Sequence, residues 1–170
     1  MHHWYLLYTK PREESRALKN LKNQGFEVFL PFFKYLKLSR GQQVEHTEPL
    51  FPRYLFISLS DTLSNWSVIR STRGISDFVR FSTLPAEVPE DLVTELKNQV
   101  NAEDIIDGTV TRNAIFSPGD PVEICAGSFA GWKAIVKEQD ANLRVSLLIR
   151  MLGREQMIRL PINSVLSLQS

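Results

Sequence analysis

Between Asn101 and Asn113 the chain loses its hydrophobic period, and this break limits its possible folds more than any other feature. The stretch is polar and fits neither a helix nor a strand, so residues 101–114 read as a linker. Residues 1–100 before it are long enough for an ordinary core. The tail, residues 115–170, is near the lower limit for an independent domain, so it must close into a small barrel or dock on its neighbour. One cysteine, Cys125, excludes an internal disulfide as a staple and fits a reducing cytoplasm; within an apolar run it reads as a small core residue. Trp4–Tyr8 is apolar, but Lys10-Pro11-Arg12 ends the run well short of a signal core or membrane span. A cytoplasmic protein without membrane contact, and a monomer, is expected.

In the first segment, Trp4–Thr9 reads as a strand. Pro11-Arg-Glu-Glu14 suits a first helical turn, with Ala17, Leu18 and Leu21 as a narrow apolar stripe and Gly25 as the stop. Phe26–Leu38 is strand-like with an interruption at Pro31, and Ser39-Arg-Gly-Gln42 reads as a hairpin tip. Phe51–Leu59 reads as a strand with Phe51, Arg53, Leu55, Ile57 and Leu59 on one side. A short helix over Asn65–Arg70, a strand over Ile75–Phe81 and a helix over Pro89–Val100 follow, the last with Leu92, Val93, Leu96 and Val100 in helical register. The order β-α-β-β-α-β-α predicts an α+β fold, an antiparallel sheet flanked by helices.

The formal net charge of +1 conceals an asymmetry. Residues 1–40 carry eight Lys/Arg against three acids, and residues 81–110 carry one Lys against seven acids. One part of the surface could approach a polyanion while another repels it, although two differently solvated faces would leave the same trace. Arg12, Arg16 and Asn20 fall four apart on one helix face, with Lys19 and Lys22 beside it. Catalysis needs a nucleophile or base with an orienting partner, and none is visible. His2, His3 and His46 lack ligand-like neighbours in sequence, and there is no phosphate-binding glycine loop. Hence no enzyme, cofactor or metal site is expected.

Phe116-Ser-Pro-Gly-Asp-Pro-Val-Glu-Ile-Cys-Ala-Gly-Ser-Phe-Ala-Gly-Trp132 has a turn at Gly119-Asp120, a strand through Val122 and Ile124, and glycines bracketing Phe129. It resembles the KOW motif, a hairpin of small barrels that bind RNA, ribosomal or transcription proteins. Trp4–Tyr8, Glu48-Pro-Leu-Phe-Pro-Arg-Tyr-Leu-Phe56 and Ser71-Thr-Arg-Gly-Ile-Ser-Asp-Phe-Val-Arg-Phe81 resemble the hallmark segments of the NusG N-terminal domain, most closely in its specialised RfaH branch. The likeness covers nearly the whole chain. It implies a transcription elongation and antitermination factor with three parts: a NusG-type N-terminal domain (1–100) binding RNA polymerase and DNA, the linker, and a KOW-type C-terminal barrel (115–170).

The resemblance implies that an apolar patch of Phe51, Tyr54, Phe56, Val93 and Leu96 binds the β′ clamp helices of RNA polymerase; the less favoured alternative is that the same residues are ordinary core. It also implies contacts from Lys10, Arg16, Asn20, Thr72 and Arg73 to the non-template DNA strand. Residue 20 is commonly histidine in the RfaH branch, which leaves open the base read here. Asn65-Trp66-Ser67-Val68 looks more like housekeeping NusG and puts a contact with the polymerase β gate loop in doubt. A small-subunit ribosomal protein is the partner implied for the C-terminal domain. Housekeeping NusG without sequence-specific recruitment, and a KOW-type RNA- or ribosome-binding protein, are the alternatives.

The tail is ambiguous at the level of its residues. Leu143, Val145, Leu147, Ile149 and Met151 alternate as a strand, while Leu147, Leu148, Met151 and Leu152 make a helical stripe. Gly153 and Pro161 oppose a long second helix. The barrel is expected for the free or activated domain. The alternative at rest is a helical hairpin docked on the first domain, which by resemblance would be held by Glu48–Arg144 and by Trp132, Val136, Leu147, Leu148, Met151 and Leu152.

Overall fold

The aromatic and β-branched runs of the first segment build a central antiparallel sheet. The computed structural model describes residues 1–61, 65–107, 121–124, 133–135, 141–152 and 165–167. Strands β1 (His2–Thr9), β2 (Glu27–Phe29), β5 (Tyr54–Ser60) and β6 (Ile75–Phe78) lie in the order β2-β5-β1-β6, and β9 (Glu87–Val88) also pairs with β1. Strand period two sends Trp4 and Leu6 of β1 to one face and Leu7 to the other, and splits Phe56 from Leu55, Ile57 and Leu59 in the same way. Both faces are therefore apolar and both must be covered.

One face is covered by α1 (Glu14–Asn23) and α2 (Trp66–Arg70), which contribute Ala17, Leu21 and Ile69 to a core with Leu7, Leu55, Ile57 and Phe78. Helix α1 begins later than its sequence suggests. Arg12 takes φ 61° and Pro11 lies in a turn, while the Glu14 carboxylate is drawn inward to accept a hydrogen bond from the Arg53 backbone N–H at 3.0 Å. Helix α2 is capped by Asn65, whose side chain accepts from the N–H groups of Ser67 and Val68. The loop between α2 and β6 lies against α1. A Cβ at Gly74, where φ is +96°, would fall 2.9 Å from the Ala17 nitrogen, so only glycine allows this approach.

The opposite face is covered by α3 (Glu90–Gln99) and α4 (Ala141–Leu152). Leu92, Val93 and Leu96 of α3 join Trp4, Leu6, Phe29, Phe51, Phe56 and Leu148 in a second core. A ribbon of β3 (Phe32–Ser39) and β4 (Gln42–Pro49) projects beside it, closed by Arg40-Gly41. Both tip residues have positive φ, 49° and 77°, the signature of a two-residue type I′ turn. Within the stretch read as a linker, β10 (Ile105–Asp107) pairs in parallel with β3, Ile105 opposite Phe32. Two further departures are local. The strand expected from Phe51 starts at Tyr54, because Arg53 turns the chain at φ 72°; and β7 (Arg80–Phe81) forms a small ribbon with β8 (Leu84–Pro85).

In the tail, β11 (Pro121–Ile124), β12 (Lys133–Ile135) and β13 (Val165–Ser167) form an antiparallel sheet in the order β12-β11-β13. The ambiguous segment is helical, as α4. The described part of the tail thus combines a small sheet with one docked helix. No described helix is long and apolar enough to cross a membrane.

Candidate interaction surfaces

The five residues of the expected apolar patch come together. Phe51, Phe56, Val93 and Leu96 are buried in one cluster, with Tyr54 packed at its edge. Phe56 meets Phe29 and Phe51 with ring centroids 6.0 and 6.1 Å apart. Their burial includes a contribution from α4, whose Leu148 is 0% exposed in the same cluster; Val145, Ile149 and Leu152 pack around it. Residues 144, 145, 148, 149 and 152 lie on one helix face, the spacing of a stripe that covers an apolar surface. Full burial of a leucine side chain contributes about 1.5–3 kcal/mol, so this contact is energetically substantial.

A polar clamp fixes the register of that helix. Arg144 Nη2 donates to Glu48 Oε1 at 2.5 Å, and its Nε donates to the Leu50 carbonyl at 2.7 Å. The Arg144 guanidinium also lies 5.0 Å from the centre of the Phe33 ring. The two charged side chains are only 14% and 21% exposed, which strengthens their attraction and raises the cost of leaving either alone. Strand β4 carries Glu48 and pairs it with Phe33, so the β3–β4 ribbon presents both the carboxylate and the ring to α4. His46 Nε2 is 3.6 Å from the other Glu48 oxygen, and the Tyr35 ring packs against His46 at 5.2 Å. Burial, then the Glu48 charge, raises the Tyr35 pKa, and Arg144 opposes the shift.

Of the residues expected at the junction, Glu48, Arg144, Leu148 and Leu152 are in contact across it. Leu147 and Met151 lie on α4, but their side chains fall outside the described residues, as do Trp132 and Val136. Sequence reasoning missed Val145, Ile149 and the carbonyl of Leu50. The first two were legible as an i, i+4 pair one position on from Arg144 and Leu148, on the same helix face; a backbone acceptor leaves no trace in side-chain pattern.

The second surface combines α1 with the loop from Ser71 to Gly74. The Lys10 N–H donates to the Gly74 carbonyl at 2.9 Å, and Asn20 Nδ2 donates to the Arg73 carbonyl at 3.1 Å. Lys10, Arg16 and Arg73 are exposed, with Arg16 bridged to Glu13 at 2.9 Å. Thr72 is buried: its hydroxyl donates to the Val68 carbonyl and accepts from Gln24 Nε2 at 3.0 Å. Gln24, absent from the sequence reading, also donates to the Asn20 carbonyl and so ties the loop to the helix. The five expected residues therefore share one neighbourhood, three as exposed cations and two as polar groups that shape the backbone.

Among the described residues no group of three or more His, Cys, Asp or Glu side chains could hold a metal ion. His3 lies within β1, between Glu87 at 2.7 Å and Asp61 at 3.5 Å.

Comparison with known proteins identifies what carries this fold. The family model described as transcription termination factor nusG matches residues 2–97. The transcription termination/antitermination protein NusG of Deinococcus radiodurans is 24% identical over 95% of this chain and 97% of its own. Its namesake from Thermus thermophilus is 26% identical over 95% and 96%. A solved structure described as domain interaction in Thermotoga maritima NusG aligns with 81% of this chain and 80% of that one, at 20% identity and a TM-score of 0.45. The protein is of the transcription termination and antitermination class, whose members are regulators and not enzymes. The chain belongs to the NusG family.

Proposed function

We propose that the chain is an elongation and antitermination factor of the RfaH kind, held at rest by its own helix α4. In this reading the face formed by Phe51, Tyr54, Phe56, Val93 and Leu96 binds the β′ clamp helices of elongating bacterial RNA polymerase once α4 leaves. Lys10, Arg16, Asn20, Thr72 and Arg73 contact a specific element in the non-template DNA strand, the cations holding phosphates and Asn20 or Arg73 reaching a base edge. Residues 1–100 carry both contacts and 101–114 is the linker. Residues 115–170, refolded as a KOW barrel, recruit a small-subunit ribosomal protein. Pausing and termination fall because binding shifts polymerase among its conformations, with no chemical step.

The observation that supports this reading is α4 seated on the apolar patch, with Arg144 bound to Glu48 and Leu148 fully buried. A surface covered by a segment with both strand and helix periods can be uncovered when that segment refolds. The test is an NMR ¹⁵N correlation spectrum of the intact protein, its Glu48→Ala variant and residues 110–170 alone. Helical shifts at 141–152 in the intact chain, replaced by strand shifts in the variant and in the isolated tail, are expected. An unchanged helix and interdomain contact in Glu48→Ala would sink the proposal.

The sheet of β11, β12 and β13 favours a second reading, a housekeeping NusG-like factor with a permanent barrel and no sequence-specific recruitment. Strand shifts at 141–152 in the intact chain would select it.

A further inference from the structure

Arg53 has a backbone conformation that arginine seldom adopts. Its φ of 72° lies in the left-handed region, a strained choice for a residue with a Cβ, and the surroundings hold it there. Its N–H donates to Glu14 Oε1 at 3.0 Å, its carbonyl accepts from the Thr9 N–H at 2.8 Å, and its Nε donates to the Thr9 carbonyl at 3.1 Å. The guanidinium is then stacked on the Tyr8 ring, 4.0 Å from its centre, and Tyr8 in turn meets Tyr54 at 5.2 Å. Tyr54 belongs to the rim of the apolar patch. A planar cation is thus fixed at the edge of a hydrophobic surface, half-buried, with Nε and the ring face engaged and no described carboxylate in an ion pair with it.

Helix α4 does not supply the missing carboxylate. Its sequence, Ala141-Asn-Leu-Arg-Val-Ser-Leu-Leu-Ile-Arg-Met-Leu152, contains no Asp or Glu, and its charged anchor lies across the patch at Glu48. The intramolecular occupant therefore covers the apolar surface and offers Arg53 no carboxylate. A fixed guanidinium on an aromatic ring favours a bidentate carboxylate, and a charge at the rim of an apolar patch steers the choice of partner and its salt dependence.

We infer that Arg53 is a specificity residue of this face: the protein segment that replaces α4 carries an Asp or Glu that pairs with the Arg53 guanidinium stacked on Tyr8. The inference rests on the reading of the face as a polymerase-binding surface. It gives an incoming partner an interaction that α4 cannot make, so the partner competes with an apolar helix of similar shape by charge as well as by area.

The test uses the full chain and bacterial core RNA polymerase, with and without Glu48→Ala. Arg53→Gly removes the guanidinium while keeping a residue at ease with the observed φ, so folding is preserved. The expected result is about tenfold weaker polymerase binding, with a flatter salt dependence, for Arg53→Gly. Arg53→Lys should recover part of the loss, and α4 docking, read from the NMR shifts of residues 141–152, should not change. Equal weakening of α4 docking and polymerase binding would make Arg53 a purely structural residue and overturn the inference, as would unchanged polymerase binding. Loss of affinity for a random-sequence single-stranded DNA pool, with polymerase binding intact, would assign Arg53 to a nucleic acid instead and equally overturn it. Failure of the Arg53-intact Glu48→Ala chain to bind polymerase would remove the underlying reading of the face, a result distinct from failure of Arg53 alone.

Discussion

The two faces of the central sheet are both apolar, yet they are covered in different ways. Beneath α1 and α2, Leu7, Leu55, Ile57 and Leu59 meet helices joined to the sheet by short connections, and Gly74 lets the 71–74 loop close tightly on Ala17. Beneath α3 and α4, Phe56 is just as fully buried, but part of its cover is a helix anchored by a pair of residues 96 positions apart in sequence. Closing so long a loop has an entropic cost, and α4 draws its helical form from a segment that also has a strand period. Equal burial therefore does not mean equal permanence. One face is core in any state that keeps the domain folded; on the proposed reading, the cover of the other is a separable contact.

The largest effect that would break this comparison is on global stability. Leu55→Ala, on the permanent face, should destabilise the N-terminal domain by about 2–5 kcal/mol, read from its denaturant midpoint. Leu148→Ala removes an equally buried leucine, but its cost, about 2–3 kcal/mol, should appear only as loss of α4 docking. The midpoint of the N-terminal domain should stay within experimental error. If Leu148→Ala instead lowers that midpoint as much as Leu55→Ala, the two faces are equivalent and α4 is ordinary core. Glu48→Ala should act in the same direction as Leu148→Ala and cost about 1–3 kcal/mol of docking, since it removes the Glu48 carboxylate from the Arg144 guanidinium.

The smallest effect is on a proton. Burial, followed by the proximity of Tyr8, raises the Tyr54 pKa above 10.0, with Arg53 acting in opposition. The neutral phenol is thus favoured in the folded state. Its contribution to stability is complete below the unfolded pKa and is lost as pH rises from about 10 through the folded value. If α4 provides part of that burial, Glu48→Ala should move the Tyr54 titration back toward 10, seen by ultraviolet absorbance with Tyr54→Phe as the reference. No movement would mean that the sheet and α3 alone bury the ring.

Much of the framework was legible because its signals are local. The Arg40-Gly41 tip, the apolar stripe of α1 ending at Gly25, and Leu92, Val93 and Leu96 on α3 each follow from neighbours in sequence. The two candidate surfaces were also legible as residue sets, through the likeness to the NusG family and, for Arg16 and Asn20, through helical spacing. What escaped detection depends on partners distant in sequence. Residues 105–107 look aperiodic because three residues are too few to show a period, and they become a strand only by lying beside Phe32. Arg53 read as one more strand position, since nothing near it announces a positive φ; the Glu14 carboxylate and the Thr9 backbone impose it.

By itself the sequence determined a sheet with two apolar faces, the helices that cover the first of them, a cationic neighbourhood around Lys10 and Arg16, and a tail segment with two admissible periods. Only the tertiary structure decided between those periods. Leu148 is buried against Phe56, and Arg144 reaches Glu48 and the Leu50 carbonyl, only if residues 141–152 are helical. Both periods fit that segment, so contacts made across the molecule set its conformation; in the helices and strands that were legible locally, the local preferences and the long-range packing agree.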